Sequence, residues 1–235
     1  MRINDFGQPI GEEVPGWTVR PRIEPVTLEG RTCRVEPLGE NNLDVLHQAL
    51  DVDTSPRIWT YISSGPYDDR AGLAGHAAAL HAIPDCEPHA ILAPDGSGLG
   101  IACYLRIDPA NGSAEVGGIV MSAALQRTTA ATESMYLMMR HVFDDLGYRR
   151  YEWKCDSLNE PSRRAAVRYG FRYEGRFRSA MVYKGRNRDT DWFCVTDAEW
   201  ALLRPSYDVW LGQDNFDGHG RQRVSLSALT GSLTG

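Results

Sequence analysis

Two stretches of this sequence hold residues suited to binding an anion and donating hydrogen bonds. The first is the junction Val120-Met121-Ser122-Ala123-Ala124-Leu125-Gln126-Arg127-Thr128-Thr129-Ala130-Ala131-Thr132-Glu133. A strand pattern ends there, small and hydroxyl residues follow, and a helix pattern begins. The first backbone N–H groups of a helix have no carbonyl partner and suit a phosphate. Small side chains let a phosphate reach that backbone. Arg127 adds positive charge, and Thr128, Thr129 and Thr132 offer hydroxyls. The plainer alternative is that Thr128 or Thr129 only caps the helix. The second stretch is Asn159-Glu160-Pro161-Ser162, opening a helix that Gly170-Phe171 closes. Asn159 suits an N-cap, Pro161 a first turn and Gly170 the residue after the last turn. Taken alone, this stretch needs no function.

The elements that must hold these stretches follow from periodicity. Val26–Val35 reads as a first strand, and Asn41 or Asn42 caps a short helix carrying Leu43, Leu46 and Leu50. Asp68 caps an alanine-rich helix that runs to about Ile83 before Pro84. Three strands follow as a meander: His89–Ala93, Gly100–Ile107 with Ile101, Cys103, Leu105 and Ile107 on one side, and Ser113–Ser122. The spacing then turns helical over 129–146, and Gly147 ends it. Arg150–Cys155 alternates as a strand, and Asn159–Tyr169 is the next helix. Phe171–Arg178, Ala180–Lys184 and Trp192–Val195 read as three more strands, and Ala198–Leu211 as a terminal helix. The fold class is α+β, a mixed, mainly antiparallel twisted sheet with helices on both faces. Residues 1–25 read as an extended arm with Trp17 as its anchor, 26–211 as a single domain, and 212–235 as a tail.

Composition narrows the function class. The 235 residues are 42% hydrophobic and 24% charged, as in folded soluble proteins. Every long apolar stretch is interrupted by charge, so no membrane span and no secretory signal are expected. The five cysteines (Cys33, Cys86, Cys103, Cys155, Cys194) form no CxxC pair, and the six histidines show no ligand spacing, so no metal site is expected. A reducing cytoplasm is the expected compartment. Net charge is −6, but residues 126–188 hold 14 Lys and Arg against 7 Asp and Glu. That local excess suits one anionic ligand, and a solvated helix face is its plainer alternative. No basic tail or zinc-finger spacing points to nucleic acid. The surrounding acidic excess mildly favours a cationic acceptor.

In order and spacing, the two stretches resemble the GNAT superfamily of acyl-CoA N-acyltransferases. The likeness runs from about Val26 to Trp200 and is carried by Gln126, Ala131, Thr132, Glu133, Gly147, Asn159, Ser162, Gly170, Phe171, Glu174, Gly175 and Arg178. The branch it looks most like acetylates ribosomal-protein N-termini, the Rim type. The family loop is Q/R-x-x-G-x-G/A, and Thr129 stands where its first glycine belongs. Glycine there allows close backbone approach to a pyrophosphate. Thr129 either narrows that approach or replaces a bound water with its hydroxyl. Many members carry a tyrosine where Ala166 stands; the Rim-like branch has the serine matched by Ser162.

The resemblance implies direct transfer of an acetyl group from acetyl-CoA, the cosubstrate, to a primary amine, whether a protein N-terminus or a small amine. It implies that Gln126, Arg127, Thr128, Thr129, Ala130, Ala131 and Thr132 hold the pyrophosphate, with Ile119, Val120 and Met121 beside the thioester. Ser162 is then the donor to the departing thiolate, and Asn159 orients it or the cosubstrate. Glu115, on the strand before the loop, is the favoured base, and a solvent-facing glutamate is its plain alternative. Asp189, Asp191 and His89 are the other bases considered. A homodimer is compatible with the family, with the arm and tail available for an interface. Two other readings remain at this stage: a non-catalytic CoA- or amine-binding module, and an acyltransferase using a longer acyl-CoA such as succinyl-CoA.

Overall fold

The computed structural model describes residues 2–50 and 56–231. Among the described residues ten strands occur in chain order: β1 (Arg2–Ile3), β2 (Pro9–Ile10), β3 (Leu28–Glu29), β4 (Arg34–Pro37), β5 (Glu87–Leu92), β6 (Gly98–Asp108), β7 (Ser113–Met121), β8 (Arg150–Asp156), β9 (Arg172–Tyr183) and β10 (Arg186–Thr196). The helices are α1 (Leu43–Ala49), α2 (Arg70–His81), α3 (Thr129–Arg140), α4 (Glu160–Arg168), α5 (Asp197–Leu211) and α6 (Leu226–Thr230). β1 and β2 form a separate ribbon, and the other eight strands make one sheet in the order β3-β4-β5-β6-β7-β8-β10-β9. The mainly antiparallel α+β architecture expected from the sequence is present.

β7 and β8 are the parallel pair in this sheet. A parallel connection needs a crossover, and α3 supplies it. On one face, Val116, Tyr151 and Trp153 pack with Met135 and Met138 of α3 and Trp200 and Tyr207 of α5. On the other, Ile101, Cys103 and Val120 pack with Leu43 and Leu46 of α1 and Leu73 and Leu80 of α2. α2 begins at Asp69, one residue after the expected cap, because Asp69 Oδ1 accepts from the Gly72 N–H at 2.8 Å. Asn42 does not cap α1; its Oδ1 accepts from the Gly39 N–H at 3.0 Å.

Several expected elements differ, each for a local reason. The single strand Val26–Val35 is broken into β3 and β4 by a turn closed by Gly30 N–H to Cys33 O at 2.9 Å. Buried Glu133 on α3 holds that turn, accepting from the Arg31 N–H at 2.9 Å and the Thr32 N–H at 2.6 Å. The helix over 129–146 stays α-helical to Arg140 and continues as a π-turn, His141–Asp145. Ile107 does not share a face with Ile101, Cys103 and Leu105. Arg106, at φ +50°, sits in a register shift that turns Ile107 to the α3 side. The two strands expected at Phe171–Arg178 and Ala180–Lys184 are one, β9, which passes Ser179 at φ +49° while its N–H bonds Asp189 Oδ1 at 2.8 Å. β10 starts six residues before the expected Trp192, because its first half is polar and lacks an apolar alternation.

Both flanks pack on the sheet body. Trp17 donates from Nε1 to Ala110 O at 3.0 Å, its ring lies 4.3 Å from the Arg20 guanidinium, and Ile23 is buried in the core. After α5, Leu226 of α6 is buried in the same core, and Trp210 Nε1 donates to Gln222 Oε1 at 2.8 Å. Residues 232–235 of the expected tail and residue 1 of the arm lie outside the described residues. Among the described residues no helix is long and apolar enough to cross a membrane.

Candidate active site

The site begins where β7 leaves β8. Their pairing covers Ser113–Arg150, Ala114–Tyr151, Glu115–Glu152 and Val116–Trp153, and no further. Both strands continue, β7 to Met121 and β8 to Asp156. The edge of residues 117–121 that faces β8 therefore has no ladder partner there, and its backbone groups are available to a ligand. On the β6 side, Ile101 pairs with Val120 and Cys103 with Gly117, so two residues of β7 oppose one of β6. Gly118, at φ +58°, makes this bulge possible, and a Cβ there would meet Cys103 Sγ at 3.0 Å. The bulge also switches faces. Val116 and Val120, which strict alternation would put together, lie in opposite cores.

The loop after β7 ends at the start of α3. Gln126 Nε2 donates to Met121 O at 2.9 Å, tying the loop back to the strand end. Thr128 is the N-cap: its Oγ1 accepts from the Ala131 N–H at 3.2 Å and donates to Leu125 O at 2.6 Å. Such a cap is worth about 1 kcal/mol. It uses one orphan N–H, and helix geometry leaves those of Thr129 and Ala130 without an intrahelical carbonyl. Arg127 is exposed in the left-handed region at φ +64°, directly before the helix start. The cap thus leaves backbone donors open at the same helix start. Ala131 and Thr132 turn inward instead. Ala131 is core, and buried Thr132 Oγ1 accepts from Arg168 Nη1 at 2.9 Å.

Ser162 reaches the gap from α4, on the α3 side of the sheet. Its Oγ accepts from Trp153 Nε1 at 3.0 Å and shares a hydrogen bond with Cys155, whose thiol burial pushes up to about 11. Trp153 and Cys155 alternate to this side of β8. Asn159 caps α4, with Oδ1 accepting from the Ser162 N–H at 3.2 Å, so Asn159 holds the serine in place.

Glu115 and Lys154 project to the opposite side. Glu115 is buried, and its carboxylate is paired with the Lys154 ammonium, with Arg106 Nε at 3.8 Å. Burial raises the Glu115 pKa, and the Lys154 charge pulls against it. These groups line a cleft of about 410 Å³ with Arg106, Phe177, Met181, Arg188, Thr190 and Trp192. A cation lies on each of two contacts with the Trp192 ring, Lys154 Nζ at 4.1 Å and the Arg106 guanidinium at 5.2 Å. Phe177 packs against the same ring at 4.8 Å. Trp192 is thus a wall of this cleft. The sequence showed neither it nor Phe177, Arg106, Lys154 and Arg188 as site residues, because their assembly depends on which strands are neighbours.

The other base candidates are engaged in structure. Asp191 is fully buried between Arg176, with Nε at 2.7 Å, and Arg163, with Nε at 2.8 Å. Asp189 accepts from the Ser179 N–H and from Asn187 Nδ2 at 3.1 Å. His89 is buried against Tyr104, and burial pushes its pKa down to about 4. Of the early aromatics, Trp59 is core and packs edge-on against Tyr67, while the Tyr61 hydroxyl donates to Leu158 O at 3.1 Å beside the start of α4. Among the described residues no group of His, Cys, Asp and Glu is placed to hold a metal ion.

A sheet opened between two parallel strands, with a helix start at one mouth and a buried carboxylate on the far side, defines a two-substrate group-transfer enzyme. The domain family described as Acetyltransferase (GNAT) domain matches residues 34–172. A GCN5-related N-acetyltransferase from Brucella melitensis is similar at 42% identity, covering 93% of this chain and all of that one, with a TM-score of 0.89. A probable GNAT-family acetyltransferase from Chromobacterium violaceum is similar at 34% identity, covering 83% of this chain and 98% of its own, with a TM-score of 0.77. An acetyl transferase from Salmonella typhimurium that modifies the N-terminal serine of ribosomal protein L7/L12 shares the fold at 20% identity, over 71% of this chain and 96% of its own, with a TM-score of 0.61. Comparison with curated proteins returns no match. The chain belongs to the GNAT family of acetyltransferases, as its sequence pattern indicated. Enzymes of this family use acetyl-CoA as cosubstrate.

Proposed function

We propose that this enzyme transfers acetyl directly from acetyl-CoA to a primary amine, with the two substrates meeting from opposite faces of the sheet at the β7–β8 gap. The observation that carries this reading is the placement of Ser162 on one side of that gap and Glu115 on the other. Acetyl-CoA supplies the activated acetyl group and a thiolate leaving group. The N–H groups of Thr129 and Ala130, with Arg127, suit its pyrophosphate, and the open edge at Ile119, Val120 and Met121 suits the arm that leads inward. The Thr129 hydroxyl projects at the position where the family has glycine. Its backbone N–H stays at the helix start, so the loop retains its donors.

Each residue then has a defined task. A neutral nitrogen must attack, so Glu115 accepts the amine proton, directly or through one water. A backbone N–H of the open β7 edge donates to the carbonyl oxygen as negative charge grows on it. Ser162 Oγ accepts from Trp153 and shares a hydrogen bond with Cys155, and its proton turns from that sulfur toward the departing one. Asn159 fixes the serine through the cap.

Calorimetric titration with acetyl-CoA, with CoA as the paired control, is the direct test. A Kd in the micromolar range or tighter, about −8 kcal/mol or better, supports an intact donor site despite Thr129. No binding at millimolar ligand overturns the reading. Ser162→Ala is expected to lower kcat by about 10- to 100-fold while the CoA Kd stays within about threefold. Equal losses in kcat and CoA affinity would assign Ser162 to positioning alone.

A further inference from the structure

The cleft on the Glu115 side carries an excess of positive charge that its own carboxylates do not consume. Its cations are Arg106, Lys154 and Arg188; its acids are Asp85 and Glu115. Lys154 is committed to Glu115, and Arg106 lies 3.8 Å and 3.9 Å from the carboxylates of Glu115 and Glu152. Arg188 is different. Its Nε donates to Thr190 Oγ1 at 3.0 Å, which orients the guanidinium. Among the described residues no carboxylate lies within ion-pair distance of it. The remaining N–H donors of Arg188 form a planar fork suited to a carboxylate.

Position makes this fork relevant to chemistry. Across β8 and β10, Lys154 stands opposite Trp192 and Asp156 opposite Thr190. The wall from Trp192 to Arg188 therefore runs beside the part of β8 that has left β7. Between the two lies an apolar surface, the packed rings of Trp192 and Phe177 with Met181. Glu115 at one end, an aromatic wall, and an unpaired Arg188 at the other describe a ligand with an amine-accepting end, an apolar middle and an anionic end.

Resting on the acetyl-transfer reading, we infer that this cleft takes a carboxylate-bearing ligand, read by Arg188. This inference differs from the preference for a cationic acceptor drawn from the acidic surface, because it rests on the cleft and not on overall charge. The carboxylate can belong to the acceptor amine or to the acyl chain of the donor, and the same arginine would read either.

The experiment first measures acetyl-CoA binding by calorimetry, because failure there removes the transferase reading itself and leaves the carboxylate question to the last arm. Released thiol is then followed with acetyl-CoA and matched acceptors: L-phenylalanine against its amide, and 4-aminobutyrate against its amide. In a parallel arm, succinyl-CoA is compared with acetyl-CoA on the two amides. With rates compared per neutral amine, because an α-amide lowers the amine pKa, a carboxylate on the acceptor predicts about a 10- to 100-fold higher kcat/KM for each acid over its amide, carried by KM, the range expected of a charge-assisted bidentate contact. A carboxylate on the acyl chain predicts the same preference for succinyl-CoA over acetyl-CoA instead. In either case Arg188→Ala erases the preference, with the loss carried by KM, and Arg188→Lys keeps part of it. Preference for the amides in both arms, equal use of all pairs, no turnover of any pair by a protein that binds acetyl-CoA, or a preference that survives Arg188→Ala overturns the inference. Direct titration with 3-phenylpropionate, an aromatic carboxylate without the amine, gives a readout free of turnover. Binding to the wild type that is lost in Arg188→Ala supports the inference, and no binding to the wild type counts against it.

Discussion

Replacing Glu115 by glutamine is expected to lower kcat by about 100- to 1,000-fold, the usual loss when a positioned general base is removed. The substitution keeps the shape and removes the proton acceptor. The pH profile gives the sharper reading. Burial raises the Glu115 pKa above the ordinary glutamate value, with the Lys154 ammonium acting in the other direction. A base works only when ionised, so kcat/KM falls as pH drops through that raised pKa, and the acid limb lies above the range of a solvated glutamate. In Glu115→Gln this limb disappears. Lys154→Met removes the charge that favours the carboxylate, so the limb moves to still higher pH. A Glu115→Gln enzyme that keeps the acid limb and stays within about threefold of wild-type kcat would reduce Glu115 to a buried ion-pair partner of Lys154.

Asp191→Ala is expected to act on stability rather than on chemistry. The carboxylate is fully buried and joins Arg163 of α4 to Arg176 of β9. Its removal leaves two guanidinium groups facing an apolar hole. Breaking a fully buried pair typically costs about 3–5 kcal/mol. Both arginines reach solvent over about a third or more of their side chains, with 36% and 41% exposed. The expected loss is therefore about 2–3 kcal/mol after that screening, or a Tm lower by about 5–10 °C for a chain of this size. Calorimetric unfolding measures this directly. The residual activity of the folded fraction should keep the wild-type acid limb, in contrast to Glu115→Gln. A Tm within about 1 °C of wild type, or loss of that limb, would show that Asp191 has been assigned the wrong task.

Much of this architecture was legible in one sequence. The change from a meander to strand–helix–strand at residues 113–156 was readable, and the structure makes the two flanking strands, β7 and β8, the parallel pair joined by α3. The loop from Gln126 to Thr132 and the start of α4 at Asn159 were readable as helix openings, since capping chemistry is local. Asn159 and Thr128 do cap, and the open N–H groups beside Thr128 are part of the same geometry. The elements that differed were those where one residue breaks a period. Arg106 and Ser179 take left-handed conformations within strands, and neither residue type signals it. The polar first half of β10 paired where no apolar alternation marked a strand.

The sequence by itself determined most of the order of elements, the change from meander to strand–helix–strand and the two helix starts, because backbone propensity, capping and hydrophobic period act over a few residues. Only the tertiary structure decided which side chains share the cleft. Glu115, Lys154, Trp192 and Arg188 come from three strands, and their meeting depends on strand order and register, while the bulge at Gly118 reverses the facing of the rest of β7. A one-residue slip in a strand exchanges its two faces, so no reading of β7 alone could place both Glu115 and Val120. The unpaired state of Arg188 is decided the same way: on its face of the sheet its Nε meets the Thr190 hydroxyl and not a carboxylate.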